Sequence, residues 1–181
     1  MAVKAIGNDH VLAVSMPCNS KNSDFEDAKL VAEKFGVKFI KVDLSNCYKE
    51  MEKEINSKIN TNLSKESTVN IKPRLRMTTL YGIAQTLNYL VIGTGNLCEA
   101  MVGYTTKWGD NSADFNPIGN FTVDEVLEIG KMLEVPEKIL EKDFLLLYSE
   151  LGFQPKNINE LMDDTGIKYE EIISMLLKLQ L

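Results

Sequence analysis

Arg74 and Arg76, the turn Gly93-Thr94-Gly95, Glu99, Lys107, Asp110 and Asp114 all fall within one stretch, Asn70 to Pro117. Guanidinium forks take phosphate or carboxylate oxygens two at a time. Residues two apart on a helix point to different sides, so one arginine of the pair is expected to face a ligand. Glu99, Asp110 and Asp114 offer the oxygen donors that a hard cation such as Mg²⁺ prefers, with phosphates and water completing its shell. Taken singly, each is equally a solvated carboxylate. Lys107, beside Trp108, either neutralises phosphate or lies along the surface with its ammonium in water. Thr94 offers a hydroxyl and a backbone N–H to a nucleotide. The glycine spacing matches neither a dinucleotide fingerprint nor a Walker loop. These residue types suit the binding and activation of a phosphate-bearing nucleotide.

The elements that position them are legible in the hydropathy pattern. Met1 to Ile6 reads as the last turn of a helix closed by Gly7. His10 to Pro17 is an apolar run of the kind buried on both faces of a parallel sheet. A helix from Asp24 to Phe35, a strand from Val37 to Val42 and a charged, amphipathic helix from Leu44 to Ile59 follow. Thr61 to Thr68 reads as a polar loop, and Pro73 is placed for the first turn of a helix from Arg74 to Leu87. Leu90 to Ile92 is a third strand, and its Gly-Thr-Gly turn sits where open α/β sheets collect ligands. A short helix is expected from Asn96 to Gly103, and Lys107 to Pro117 is irregular. Thr122 and Glu125 form a capping box for a helix from Val123 to Leu133. Helices are expected at Glu137–Leu151, Asn157–Thr165 and Tyr169–Leu179. Alternating strands and helices predict an α/β fold with a doubly wound parallel sheet and flanking helices, then an α-helical C-terminal extension.

The totals exclude several classes. A length of 181 residues suits one domain of ordinary size with a real core. A net charge of −6 argues against broad nucleic-acid or anionic-membrane binding while leaving room for a local basic pocket. No apolar run reaches the roughly 18 residues of a membrane span, and the N-terminus carries no signal-peptide pattern. Three dispersed cysteines and a single histidine predict neither a disulfide framework nor a zinc site. A reducing, cytoplasmic setting is expected.

Taken together, RLRMTTLY, VIGTGNLCE and GYTTKWGDNSADFNP resemble the ammonia-dependent NAD⁺ synthetases, members of the adenine-nucleotide α-hydrolase-like ATP pyrophosphatases. The resemblance implies a ligase that converts deamido-NAD, ATP and ammonia into NAD, AMP and pyrophosphate through an adenylate. It implies deamido-NAD contacts at Arg74, Lys107 and Asp114. ATP contacts fall on Thr94 and on Met16, within the Ser15 to Pro17 strand end. Glu99 is implied as a Mg²⁺ ligand, and Asp110 as a support in the same loop. Family members are homodimers, and the apolar residues of the Arg74–Leu87 helix are candidates for that interface.

The resemblance also sets expectations of difference. The family's SGGxDS loop, with its strand and aspartate, is not found ahead of the first helix. The position of an expected ATP-contacting lysine falls on Val123. Residues 1–141 are therefore expected to form a truncated synthetase-like domain, first strand missing, with little or no activity alone. Residues 142–181 resemble the winged-helix-like tail of bacterial DNA-processing proteins, with a helix-turn-helix-like pattern. That tail has four lysines against seven acidic residues, which disfavours DNA binding and favours a structural or protein-contact role. The alternative to an enzyme is a non-catalytic remnant, or an interaction module acting through dimerisation and the C-terminal helices.

Overall fold

A computed structural model of the chain describes residues 1–140, together with 162 and 168. The chain forms two compact units, Met1–Gly95 with Thr105–Gly119, and Asn96–Tyr104 with Asn120–Leu181. The expected boundary between 141 and 142 lies inside the second unit, at the edge of the described residues. The helices expected beyond Leu140 fall outside them.

The first unit opens with helix α1 (Ala2–Ile6), ended by Gly7 at φ 85°, a left-handed backbone that suits glycine. Strand β1 (Leu12–Ser15) pairs in parallel with β2 (Lys38–Lys41), in the register Leu12 to Lys38 through Ser15 to Lys41. Helix α2 (Asn22–Lys34) makes the crossover between them. The Phe25 and Phe39 rings lie 5.7 Å apart, fastening this helix to β2. Past the strands the pairing continues, with Val42 N–H donating to Ser15 and Leu44 N–H to Pro17, both at 2.8 Å. Helix α3 (Ser45–Ile59) ends on Asn60 at φ 55°.

Helix α4 (Lys65–Leu87) is longer than its sequence pattern suggests. Pro73 is not in its first turn but in its interior. The true start is Ser64, whose hydroxyl accepts the Ser67 N–H at 3.2 Å, a side-chain cap that the polar run 61–68 conceals. Proline removes one ladder donor, a cost the helix carries within a single continuous element.

The core lies where β1, β2, α3 and α4 converge. Cys18, Leu44 and Tyr48 are buried, and Met16, Val42, Ile71 and Leu75 pack against them. Ile71 and Leu75, one helical turn apart, supply the inner face of α4. The expected strand at 90–92 reduces to a single parallel bridge between Ile92 and Phe115. Its partner comes from a segment whose polar composition reads as irregular. The parallel α/β character is therefore present, as two short pairings among the described residues.

In the second unit α5 (Leu97–Val102) ends on Gly103 at φ 70°. Leu97 N–H donates to Phe121 at 2.8 Å, just ahead of α6 (Val123–Met132). The Thr122–Glu125 capping box is formed as expected. Helix α7 (Glu137–Leu140) closes on α6, so near that a Cβ on Gly130 would lie 2.8 Å from Leu140 Cδ2. Met101, on α5, is exposed.

Tyr48 gives this core a pH signature. Its hydroxyl donates to Glu52 Oε1 at 2.7 Å. Burial first, then the Glu52 hydrogen bond and charge, pushes its pKa from 10.0 up to about 12. The folded phenol holds its proton more tightly than the unfolded one. Its contribution is therefore complete below pH 10 and lost as pH climbs towards 12. Urea unfolding should show the wild-type midpoint falling more across this window than that of Tyr48→Phe; equal slopes would contradict this.

Candidate functional site

One face of α4 organises the site. Asn70, Pro73, Arg74 and Tyr81 recur at spacings that place them on one side of a helix. Each meets the segment 105–114. The Thr106 hydroxyl donates to Asn70 Oδ1 at 3.0 Å. A Cβ on Gly109 would lie 2.9 Å from Pro73 Cβ, so glycine permits the approach. Arg74 Nε donates to the Lys107 carbonyl at 3.1 Å. Tyr81 Oη donates to Asp114 Oδ1 at 3.3 Å. Burial, then the Asp114 charge and hydrogen bond, raises the Tyr81 pKa and keeps this phenol a donor.

The segment itself is a closed turn. Gly109 N–H donates to the Thr106 carbonyl at 2.8 Å. Trp108, at its third position, has φ 60°. A residue with a Cβ in that region costs about 1–2 kcal/mol, and glycine or asparagine is the usual occupant. Asp110 Oδ1 accepts the Thr106 N–H at 2.6 Å, closing the turn from within. Lys107 and Trp108 are left outside, with the Lys107 ammonium 5.7 Å from the indole centroid.

At the other end, Asp114 Oδ2 accepts the Val91 N–H at 2.7 Å, and Asp114 N–H donates to the Val91 carbonyl at 2.9 Å. Gly93 N–H donates to Phe115, and a Cβ on Gly93 would lie 3.0 Å from the Cβ atoms of both Ala113 and Asn116. Asn116 Nδ2 reaches the Gly95 carbonyl at 2.6 Å. This packing leaves Thr94 exposed at the tip of its Gly-Thr-Gly turn.

The expected site residues thus fall into groups. Arg74 and Lys107 are both exposed and meet through the Arg74 Nε donation to the Lys107 carbonyl, and neither side chain pairs with a carboxylate among the described residues. Asp114 and Asp110 anchor the same loop. Arg76 points elsewhere, as its spacing requires, and donates to the Met16 carbonyl at 3.1 Å. Met16 is half-buried against the core and its backbone is engaged by Arg76. Glu99 belongs to the second unit, where its carboxylate accepts the Asn96 N–H at 2.8 Å and Asn96 Oδ1 accepts the Glu99 N–H at 3.0 Å. This capping box, an Asn three residues before a Glu, was available in the sequence. So was the helical spacing of Asn70 and Tyr81 with Arg74. Thr106 and Asn116 had no comparable signal, because their partners are distant in sequence.

Mg²⁺ is the metal the resemblance implies. Among the described residues no group of three His, Cys, Asp or Glu side chains forms a protein-only cage. An ion held mainly by substrate phosphates asks for only one or two protein carboxylates.

Asp114→Ala should leave the Val91 N–H without its acceptor and lower stability by about 1–2 kcal/mol. Asp114→Asn, which keeps an acceptor oxygen, should lose less. Urea unfolding of the two variants checks this, and equal losses would contradict it.

The chain was compared with known proteins. The family model for NAD synthase matches residues 1–179, taking in the tail that the sequence pattern sets apart. The NH(3)-dependent NAD(+) synthetase of Carboxydothermus hydrogenoformans is 40% identical over 93% of this chain and 72% of its own length. That of Pyrococcus furiosus is 36% identical over 99% of this chain and 65% of its own. The chain therefore spans about two thirds to three quarters of these relatives. Among solved structures, NMN synthetase from Francisella tularensis matches with TM-score 0.68 and 31% identity, over 91% of this chain and 65% of that one. NH3-dependent NAD synthetase from Campylobacter jejuni matches with TM-score 0.68 over 98% of this chain and 75% of that one. At 24% identity, this second likeness speaks to the fold. With the α/β fold shared and the family model matched along nearly the whole chain, this protein belongs to the NAD synthase family.

Proposed function

We propose that the chain provides the deamido-NAD side of an NAD⁺ synthetase. That enzyme is a ligase amidating deamido-NAD with ammonia at the expense of ATP. The observation that carries this reading is the link from Arg74 on α4 to the Lys107 carbonyl on a braced loop, with neither cationic side chain paired to a carboxylate among the described residues. Arg74 uses Nε on the Lys107 carbonyl, which leaves the outer guanidinium N–H groups for substrate oxygens. Asp114 is a third contact and also holds the loop to Val91. Asp110 supports the loop through the Thr106 N–H.

Thr94 and Met16 are assigned to ATP, and Glu99 to Mg²⁺. Bound Mg²⁺ would supply Lewis acidity toward the phosphates. The cationic side chains stabilise charge that develops on oxygen as the carboxylate is activated. The non-catalytic alternatives, a remnant or an interaction module, are not favoured by relatives 36–40% identical that are NAD⁺ synthetases. Residues 142–181, apart from 162 and 168, lie outside the described residues.

The doubly wound reading of the sheet draws support from a groove of about 580 Å³. Leu12 and Val14 of β1 line it together with Val91, Ile92 and Phe115. β1 pairs with β2 on one edge, and no strand covers its other edge among the described residues. No described helix is long and apolar enough to cross a membrane. A cytoplasmic homodimer is proposed.

Isothermal titration should show deamido-NAD binding to the wild type. Arg74→Ala and Lys107→Ala should each weaken it about tenfold or more, the scale of a lost hydrogen bond to a charged group. Binding unchanged in both variants would overturn the assignment.

The α4 face offers a test of assembly. Thr79, Gly82, Ile83, Thr86 and Leu87 form a shallow depression there, and Leu87 is exposed. Sedimentation at micromolar concentration should give a dimer that Leu87→Asp weakens, whereas a wild-type monomer would contradict the dimer.

A further inference from the structure

We propose that Thr106 and Asn70 are positioning residues, a clamp that holds the Lys107–Trp108 turn in its strained, outward-facing form. The proposal rests on the reading of Arg74 and Lys107 as substrate contacts. Buried polar side chains are few here: among the described residues they are Asp27 and Thr106. Thr106 is 8% exposed, in a loop whose neighbours on either side are exposed. Burial of a hydroxyl is tolerated where it is bonded, and this one donates to Asn70 Oδ1. Asn70 is fixed in turn, because its Nδ2 donates to the Glu66 carbonyl at 2.9 Å within α4. The amide therefore presents its oxygen to Thr106 and its nitrogen to the helix.

Two further observations give the clamp a purpose. Trp108 holds a left-handed backbone while 66% exposed, so its side chain gains little from burial in return. Such strain persists only where the surroundings impose it, and it concentrates at ligand sites. The imposing contacts are Asp110 on the Thr106 N–H, the Gly109 backbone against Pro73, Arg74 Nε on the Lys107 carbonyl and the Thr106 hydroxyl on Asn70. Two of these are side-chain hydrogen bonds between the turn and α4, and the Asn70 link is the one made by a side chain of the turn itself. The same helix carries Arg74 one turn later, and its Nε donates to the Lys107 carbonyl, so the clamp fixes the Lys107 backbone relative to this arginine. Freed from Asn70, the turn can relax towards ordinary φ and carry Lys107 away from Arg74.

Trp108 is the one tryptophan in the sequence, so its fluorescence reads this turn alone. Thr106→Val removes the hydroxyl at similar volume, and Thr106→Ser restores it. In Thr106→Val, Trp108 anisotropy should fall and acrylamide quenching rise without ligand. The dissociation constant for deamido-NAD, titrated by the same fluorescence, should rise about tenfold, as for one lost buried hydrogen bond. Thr106→Ser should return both to within about twofold of wild type. A Thr106→Val protein whose melting temperature alone changes, with anisotropy and affinity as in wild type, would overturn the proposal. If the wild type does not bind deamido-NAD, the reading of the site fails, while the unliganded anisotropy still decides the clamp.

Discussion

The Asp114 carboxylate takes the Val91 N–H at 2.7 Å while its own N–H returns to the Val91 carbonyl at 2.9 Å. Much else in the first unit depends on that reciprocal pair. It sets the 105–116 segment beside Val91 and Ile92, so that Ile92 bridges Phe115 in parallel and Gly93 can pack against Ala113 and Asn116. It leaves Tyr81 a partner at the far end of the α4 face. With that end fixed, and Thr106 fixed at the other, the turn between them holds the Lys107 carbonyl against Arg74 Nε.

Several acidic residues read as ligands also have structural work. Asp110 closes its own turn, Asp114 bonds a buried backbone N–H, and Glu99 caps α5. A structural bond does not by itself exclude a ligand contact: Asp114 accepts from both the Val91 N–H and Tyr81 Oη, and a carboxylate has about four acceptor positions. These structural bonds do change how a substitution reads. Loss of any one of these side chains removes both a candidate contact and a bond that holds backbone in place, so a conservative amide is more informative than alanine.

The α/β alternation was legible because periodicity survives in a single sequence: β1, α2, β2 and α3 fall within a few residues of their expected bounds. Gly7 and the Thr122–Glu125 box ended and began helices as their chemistry requires. The start of α4 was not legible, since polar residues 61–68 hide a Ser64 cap and Pro73 suggests a helix start it does not make. The strand at 90–92 shrank to one bridge because its pairing depends on Phe115, a partner that local pattern does not reveal. In the site, the divergence of Arg74 and Arg76 followed from helical geometry alone. Thr106 did not, because nothing local marks a threonine whose partner lies 36 residues away.

The central claim is that segment 105–114 and the facing surface of α4 bind deamido-NAD as one braced unit. Hydrogen–deuterium exchange with and without deamido-NAD tests it most directly. The account predicts slower exchange in 105–114, together with the Val91 amide that Asp114 holds. Unchanged exchange across these segments at saturating ligand, or protection confined to other parts of the chain, would contradict it.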